Sequence, residues 1–262
     1  MSLAELPSWA ISQWVAASTA SRVLVVYGGV MALALLITYA ISMGDDRTLR
    51  DVGVWAKPMK FMAATALFAW STAWLAIIGS AAVSHSQAFD GIAGLVIVTS
   101  LFEVVYITYQ AAHGAASHYN TNDPFHAMMF GIMGVAAVAL TASQAWLAWE
   151  IWMEFRGTAM PVLGQGVVVG LTLTFVLSTV SGFILGGKQA PAGVGIPIVG
   201  WHGWGDIRPS HFLGVHAQQL IPIAAIVAED YFGSSAQIGF AITVGCYLAG
   251  WLALTWVGLM KP

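Results

Sequence analysis

Polar side chains recur on one face of a predicted helix within the otherwise apolar stretch 94–120. Glu103, Tyr106, Gln110, His113 and Ser117 follow one another at steps of three or four residues, which places them on one stripe of a helix. A carboxyl group in apolar surroundings is either protonated or faces a partner, because an unpaired charge there is costly. We therefore expect Glu103, Tyr106 and Gln110 to relay protons or contact a substrate. The alternative is a neutral Glu103 that fixes helix packing.

Histidines form a second feature, split between that stretch and GWGDIRPSHFLGVHAQQLIP at 203–222. His211 and His216 are five residues apart, so they point about 140° away from each other on a straight helix that starts with Ser210 as N-cap. We expect one of them to meet His118 across the bundle, as facing helices supply two nitrogens to a haem or several ligands to a metal ion. The predicted metal ligands are His118, His211 and His216. The alternative is that they hydrogen-bond neighbouring helices.

Cationic and amide side chains surround the same region. The residues predicted to contact a cofactor are Lys57, Lys60, Asn120, Arg208 and Gln218. The cations among them suit an anionic group such as a haem propionate, a phosphate or a lipid headgroup. Two alternatives remain, since lysines at helix ends commonly extend to the headgroups and Asp206 is a natural partner for Arg208.

The elements that must position these residues are membrane-spanning helices. The chain has 262 residues, of which 58% are hydrophobic and 8% are charged, whereas an ordinary soluble domain has about 25% charged residues. Seven runs are long enough to cross a bilayer as helices, approximately at 23–43, 58–80, 91–113, 126–149, 162–185, 211–228 and 236–257. The sequence therefore predicts an all-α, integral membrane bundle of seven transmembrane helices.

The distribution of positive charge predicts the orientation. With seven spans, one side of the membrane collects Arg47, Arg50, Lys57, Lys60, Lys188, Arg208 and Lys261, and the other side only Arg22 and Arg156. Positive charge near span ends stays cytoplasmic, so we expect the N-terminus outside and the C-terminus inside. Residues 1–21 are predicted to be an interfacial segment with a short helix, and residues 22–262 a single transmembrane domain.

Several protein classes are excluded. A net charge of −3 with nine Lys and Arg leaves no basic surface for nucleic acid. The single cysteine, Cys246, allows neither an intramolecular disulfide nor a cysteine-based cluster. No P-loop, HExxH or GxSxG motif is present, and the last predicted span lacks the lysine that a retinal Schiff base requires.

Three motifs carry a family resemblance: KPMKF, TYQAAHGAASHYN and DIRPSHFLGVHAQQLIP. They are similar to motifs of a group of uncharacterised polytopic inner-membrane proteins of bacteria. The resemblance extends from the second to the sixth predicted span and implies a multi-pass protein of the inner membrane, without an activity to carry over. The residues within the resembling motifs are Lys57, Pro58, Lys60, Glu103, Gln110, His118, Asn120, Arg208, His211 and His216.

The polar residues leave three functions open. The favoured prediction is a cytoplasm-facing pocket that binds haem or a transition metal, in a membrane-bound oxidoreductase that transfers electrons or protons. The second is a proton-coupled transporter or channel, which needs a polar path through both halves of the bundle. The third is a non-catalytic subunit of a larger energy-transducing complex, packed against other membrane subunits or only against lipid.

Overall fold

The computed structural model describes residues 14–197 and 199–260, whose regular elements are helices and one small hairpin of strands. The helices are α1 (Thr19–Ser42), α2 (Ala56–Gly79), α3 (Ala81–Ser84), α4 (Gln87–Ala112), α5 (Pro124–Glu154), α6 (Val162–Gly187), α7 (Arg208–Val215), α8 (Ala217–Phe232) and α9 (Ala236–Leu259). Strands β1 (Thr48–Leu49) and β2 (Val52–Gly53) pair antiparallel between α1 and α2. The all-α prediction is confirmed.

Six helical stretches in the described residues are long and apolar enough to cross a membrane. Five of them are α1, α2, α4, α5 and α6. The sixth is Ala217–Leu259, a stretch of 43 residues that contains the last predicted span, 236–257, and most of the one before it, 211–228. The chain is therefore built as a multi-pass membrane protein.

That sixth stretch folds back on itself. The chain reverses at the 3-10 turn Gly233–Ser235, where Gly233 has a positive φ of 49°. Further along α9, the Tyr247 hydroxyl donates to the Leu213 carbonyl of α7, and the Val257 carbonyl accepts from the Gly205 amide over 3.3 Å. Helix α9 is therefore antiparallel to α7 and α8, and Ala217–Leu259 is a helical hairpin.

Close packing between helices fixes the bundle. Helix α1 packs on α2 and α4, α5 packs between α4 and α6, and α6 packs on α7 and α8. Small residues allow the closest approaches: a Cβ at Gly170 would lie 3.0 Å from Cδ of Pro222, and one at Gly79 only 2.6 Å from Cδ1 of Ile151. The largest apolar core lies among α1, α2, α4, α5 and α6, with Leu75 and Phe89 at its centre.

The connections at one end of the bundle gather into a layer that we call the polar end; it comprises residues 43–55, 113–123, 188–197 and 199–207. Four cationic side chains join these connections by donating to backbone carbonyls. The contacts are Arg47 to Ala112 (3.0 Å), Arg50 to Ala190 (2.7 Å), Lys60 to Val199 (2.8 Å) and Lys188 to Gly258 (2.8 Å). The two histidine-bearing connections therefore lie at the same end, as the sequence predicts.

The predicted helical stripe on α4 is shorter than expected. Helix α4 stops at Ala112 because His113 is its C-cap and Gly114 takes a left-handed φ of 67°. The prediction was therefore wrong for His113, which is exposed, and for Ser117, which lies in the connection rather than on the helix. Glu103, Tyr106 and Gln110 do share the buried side of α4.

Two further predicted boundaries concern the start of α7 and the N-terminal segment. Helix α7 begins at Arg208 with Ile207 as N-cap, so the prediction of Ser210 as N-cap was wrong. Pro209 occupies the first turn, where its missing N–H is not needed. The predicted interfacial segment 1–21 lies largely outside the described residues, although its last residues, from Thr19, belong to α1.

Candidate functional site

Lys57, at the start of α2, directs its ammonium group into the bundle. The ammonium donates to the Ser117 hydroxyl over 3.0 Å and lies 5.8 Å from the centre of the Phe61 ring. Ser117 is in turn 3.2 Å from Nδ1 of His118, whose ring makes an edge contact with Phe61. A loop hydroxyl and an aromatic face thus hold this cation away from the headgroups.

Glu103 lies deeper on α4, about 14 Å from the end of the helix at 1.5 Å per residue. It is only 7% exposed, and the structure records no hydrogen bond to its carboxyl group among the described residues. The Lys57 ammonium is close enough to interact with its charge. The site therefore brings a carboxyl group and an ammonium group within electrostatic range of each other, and no direct hydrogen bond joins them among the described residues.

Tyr106 and Gln110 continue the buried side of α4 toward the polar end. Both are almost fully buried, at 7% and 2% exposure. The Tyr106 hydroxyl has no partner within the described part of the chain, although it lies among apolar side chains that include Phe61 and Met133. A buried hydroxyl without a partner is unfavourable, so this group is available to water or a ligand.

The polar residues continue beyond Glu103 toward the other end of the bundle. Ser100, one turn away on α4, is 2.8 Å from the hydroxyl of Tyr27 on α1, and both residues are buried. Tyr27 also lines a shallow surface depression together with Arg22 and Ile97. Sequence reasoning missed this contact, because a tyrosine in an apolar run indicates packing unless its partner is known. We call the following set the polar track: His118, Ser117, Lys57, Glu103, Ser100 and Tyr27.

His118 is a neutral member of the polar track. Burial and the nearby Lys57 ammonium lower the pKa of the His118 imidazole to about 3. Its ring is enclosed by Phe61 on α2 and Phe130 on α5, at centroid distances of 6.2 and 5.8 Å. A neutral imidazole of this kind accepts or donates a hydrogen bond but does not add a second positive charge beside Lys57.

Arg208 and Asp206 form an ion pair at the polar end. The Arg208 guanidinium donates through Nε and Nη2 to both carboxyl oxygens of Asp206, at distances of 2.7 to 3.1 Å. Burial alone would raise the pKa of Asp206. The hydrogen bonds from the Arg208 side chain and from the His202 and Arg208 backbone amides nevertheless keep it below its usual value. The guanidinium charge is therefore largely neutralised, as the ion-pair alternative expected.

The remaining predicted cofactor contacts are dispersed. The Lys60 ammonium donates to the Val199 carbonyl, within range of the Arg208 charge but apart from Glu103. Asn120 donates to the Ala116 carbonyl over 3.1 Å, and its own Oδ1 is buried without a recorded partner. Lys57 is thus the one predicted cofactor contact with a recorded tie to the polar track.

His211 lies on α7 where this helix packs on α6, and His216 lies between α7 and α8. Nδ1 of His211 is 3.0 Å from the Ser181 hydroxyl of α6, whereas Nδ1 of His216 is 3.2 Å from Oε1 of Gln219. Gln218 is fully buried and its backbone amide donates to Thr174 on α6. The two histidines therefore have different partners, as their spacing predicts.

The three predicted metal ligands, His118, His211 and His216, do not form one cluster in the described residues. This part of the chain contains no group of three His, Cys, Asp or Glu side chains placed to hold a metal ion. His118 contacts Phe61 and Phe130, and no contact with His211 or His216 is recorded. The haem or metal hypothesis remains a prediction.

Comparisons with protein-family models, with curated proteins and with solved structures found no match for this chain.

Proposed function

We propose that the protein moves protons across a membrane along the polar track, which they enter at the polar end. The observation that carries this proposal is the placement of Glu103, a 7% exposed carboxyl group inside a bundle of membrane-spanning length. The Lys57 charge is in range, and no hydrogen bond to this carboxyl is recorded within residues 14–197 and 199–260. An ionisable group at such depth is expensive to retain and is typical of proton relays and ion paths. The free lone pairs of Glu103 are what a proton carrier requires.

The position of the track in the bundle supports a path rather than a closed pocket. Ser117 and His118 belong to the polar end, Glu103 lies about 14 Å deeper, and Ser100 with Tyr27 lies about one turn beyond. The sequence alone offered few polar groups for the outer half, and the Tyr27 to Ser100 contact adds one. Bound water bridges the intervals between neighbouring groups, since buried polar groups without protein partners are commonly hydrated.

The proposed membrane topology has seven crossings. The helical hairpin Ala217–Leu259 accounts for two of them, and the other five apolar stretches account for one each. Six Lys and Arg residues in or next to the polar end favour the cytoplasmic side for this end; they are Arg47, Arg50, Lys57, Lys60, Lys188 and Arg208. The bacterial inner membrane is the location that the motif resemblance implies.

Haem or metal binding with a redox role is the second candidate function. It has weaker support than proton movement, and it can be tested directly. The sequence favoured it because histidines cluster in the stretches 94–120 and 203–222. Among the described residues, however, each of the three candidate ligands contacts different groups. An absorption spectrum and elemental analysis of the purified protein decide it. A Soret band or a stoichiometric metal would favour haem or metal binding over the present proposal.

In this proposal, lipid surrounds the apolar surface of the bundle, and nucleic acid is not a partner. Exposed side chains such as Leu36 on α1 and Leu252 on α9 are more than half exposed, and they face either lipid or another membrane subunit. The native mass of gently solubilised protein separates these cases. A larger complex is compatible with proton movement and identifies the third function that the sequence left open.

The test of the proposed function is proton flux in proteoliposomes. Dissipation of an imposed pH gradient, followed with an enclosed pH-sensitive dye, should be faster than in empty liposomes. Glu103→Gln should slow it by about a hundredfold, the scale of a positioned proton-transfer group. Glu154→Gln is the matched control, because this exposed carboxyl lies at the far end of α5. Flux that persists in Glu103→Gln would overturn the proposal.

A further inference from the structure

The first half of α1 carries the surface depression that Tyr27 borders, and we call this depression the α1 groove. It lies toward the end of the bundle opposite the polar end. Its volume is about 570 Å³, which lies within the range of small-molecule sites, about 300–1,000 Å³. Ile97 of α4 forms one wall. The other lining residues share one face of α1; they are Thr19, Arg22, Val23, Val26, Tyr27 and Val30.

Polar and apolar groups are separated along the α1 groove. Arg22 lies near the start of the helix, whereas Val26 and Val30 lie deeper and are 56% and 52% exposed. The Tyr27 hydroxyl is already hydrogen-bonded to Ser100 over 2.8 Å. Beyond Arg22, the groove therefore offers apolar contacts only.

The length of the α1 groove matches one leaflet of a bilayer. Thr19 and Val30 are eleven positions apart, so the groove is about 16 Å long at 1.5 Å per residue. The hydrocarbon core of a bilayer is about 30 Å thick, and one leaflet contributes half of it. The groove therefore reaches from the start of the span to about the middle of the bilayer, which is the reach of one acyl chain.

Arg22 has an unsatisfied donor at the outer end of the groove. Its Nε is buried and has no hydrogen-bonding partner among the described residues. The ion pairs recorded in this part of the chain do not include it. A buried N–H without a partner is unfavourable, and more so on a charged group. Because a guanidinium donates in a fork that fits phosphate oxygens, Arg22 suits an anionic ligand whose apolar part enters the groove.

We propose that the α1 groove binds one anionic phospholipid, with its phosphate on the Arg22 guanidinium and an acyl chain along Val23, Val26 and Val30. Valine in a helix has one strongly preferred rotamer, so the walls of the groove are preformed and little ordering is needed on binding. Arg22 is the charged residue among those that line the groove, and its uncompensated charge favours a net negative headgroup over a zwitterionic one. This site does not depend on the proposed proton movement.

Native mass spectrometry tests this proposal on the full-length protein, released from nanodiscs that contain equal amounts of phosphatidylglycerol and phosphatidylcholine. We expect the wild type to retain one phosphatidylglycerol molecule in preference to phosphatidylcholine. Arg22→Gln should lower this preference by about tenfold, since hydrogen bonds to a charged group are lost. Arg156→Gln is the matched control, because Arg156 is exposed at the same end of the bundle but does not line the groove.

A second variant tests the apolar part of the site while Arg22 stays in place. Val26→Trp fills the groove from an exposed position, so it should lower the retention of phosphatidylglycerol without unfolding the bundle. Leu36→Trp is its control, since Leu36 is also on α1, is 65% exposed and lies outside the groove.

The outcomes separate this site from other occupants and from the polar track. Equal retention of the two lipids by the wild type, or equal preference in the wild type and Arg22→Gln, would overturn the proposal. Retention that Val26→Trp leaves unchanged, or a dimer without bound lipid, would overturn it as well. Glu103→Gln should retain phosphatidylglycerol as the wild type does, so lipid binding and proton movement can fail independently.

Discussion

The Lys57 ammonium and the Ser117 hydroxyl are joined by a hydrogen bond of 3.0 Å that turns the lysine into the bundle. A lysine at the end of a membrane helix ordinarily extends toward the headgroups. Here the cation instead lies in range of Glu103, a carboxyl group with no other recorded partner. The loop residue Ser117 therefore controls the electrostatics at the entrance of the polar track.

Lys57 and Glu103 should be energetically coupled. Lys57→Met leaves a buried carboxyl group without a counter-charge, and Glu103→Gln leaves a buried ammonium, so each variant should lower the unfolding temperature. The free energy of unfolding should fall in the double variant by about 1 kcal/mol less than the sum of the two single losses. Thermal unfolding in detergent measures all three.

Lys60→Met is the control for that cycle. Its ammonium donates to the Val199 carbonyl and interacts with Arg208 rather than with Glu103. The loss of stability in Lys60→Met should therefore be additive with the loss in Glu103→Gln. Equal coupling for both lysines would show that the inward position of Lys57 has no special role.

Tyr27→Phe should lower the stability of the bundle and slow proton movement along the polar track. It removes the hydrogen bond to Ser100, which should lower the free energy of unfolding by about 1 kcal/mol, and it should slow proton flux. Tyr39→Phe on the same helix is the comparison, because Tyr39 is 56% exposed and no hydrogen bond of its hydroxyl is recorded. If both variants behave alike, the contact does not belong to a proton path.

His118 should make stability depend on pH. Its pKa falls from 6.5 to about 3 on folding, so the unfolded chain binds more protons between these values. Stability is then complete above the unfolded pKa and is lost progressively as the pH falls toward about 3.

The variant His118→Gln removes this titration. Unfolding temperatures measured over a series of mildly acidic buffers should fall less steeply for His118→Gln than for the wild type. Parallel curves for the two proteins would mean that His118 is as accessible to protons in the folded chain as in the unfolded chain.

Arg208 should matter mainly through Asp206. The carboxyl group is 1% exposed, so Arg208→Ala leaves a buried charge and should cost about 2 kcal/mol of stability. Arg208→Ala combined with Asp206→Asn should recover part of that loss. If the double variant is less stable than Arg208→Ala, the guanidinium has a binding role that the ion pair does not explain.

The spans could be predicted from the sequence because hydropathy and length are local properties. The end of α4 could not, since both the C-cap at His113 and the left-handed Gly114 follow an unbroken series of helix-compatible residues. Burial of Glu103, Tyr106 and Gln110 was predictable from their spacing on one helix.

Contacts between residues far apart in the chain could not be predicted from the sequence. Tyr27 and Ser100 are 73 positions apart, and Gln219 and Ser71 are 148 apart, so no spacing rule connects them. The direction of Lys57 likewise depends on a loop from elsewhere in the chain. For the same reason, clustering of histidines along the sequence predicted a shared ligand site, whereas the folded chain gives each histidine its own neighbours.

Infrared difference spectroscopy of the purified protein, between alkaline and acidic buffer, most directly asks whether Glu103 binds and releases a proton inside the bundle. On mild acidification, a C=O band of a protonated carboxyl group in apolar surroundings should appear in the wild type and in Glu154→Gln, whereas exposed carboxyl groups protonate only in more acidic buffer. It should be missing in Glu103→Gln. An unchanged band in Glu103→Gln would contradict the assignment of Glu103 as the proton-carrying group.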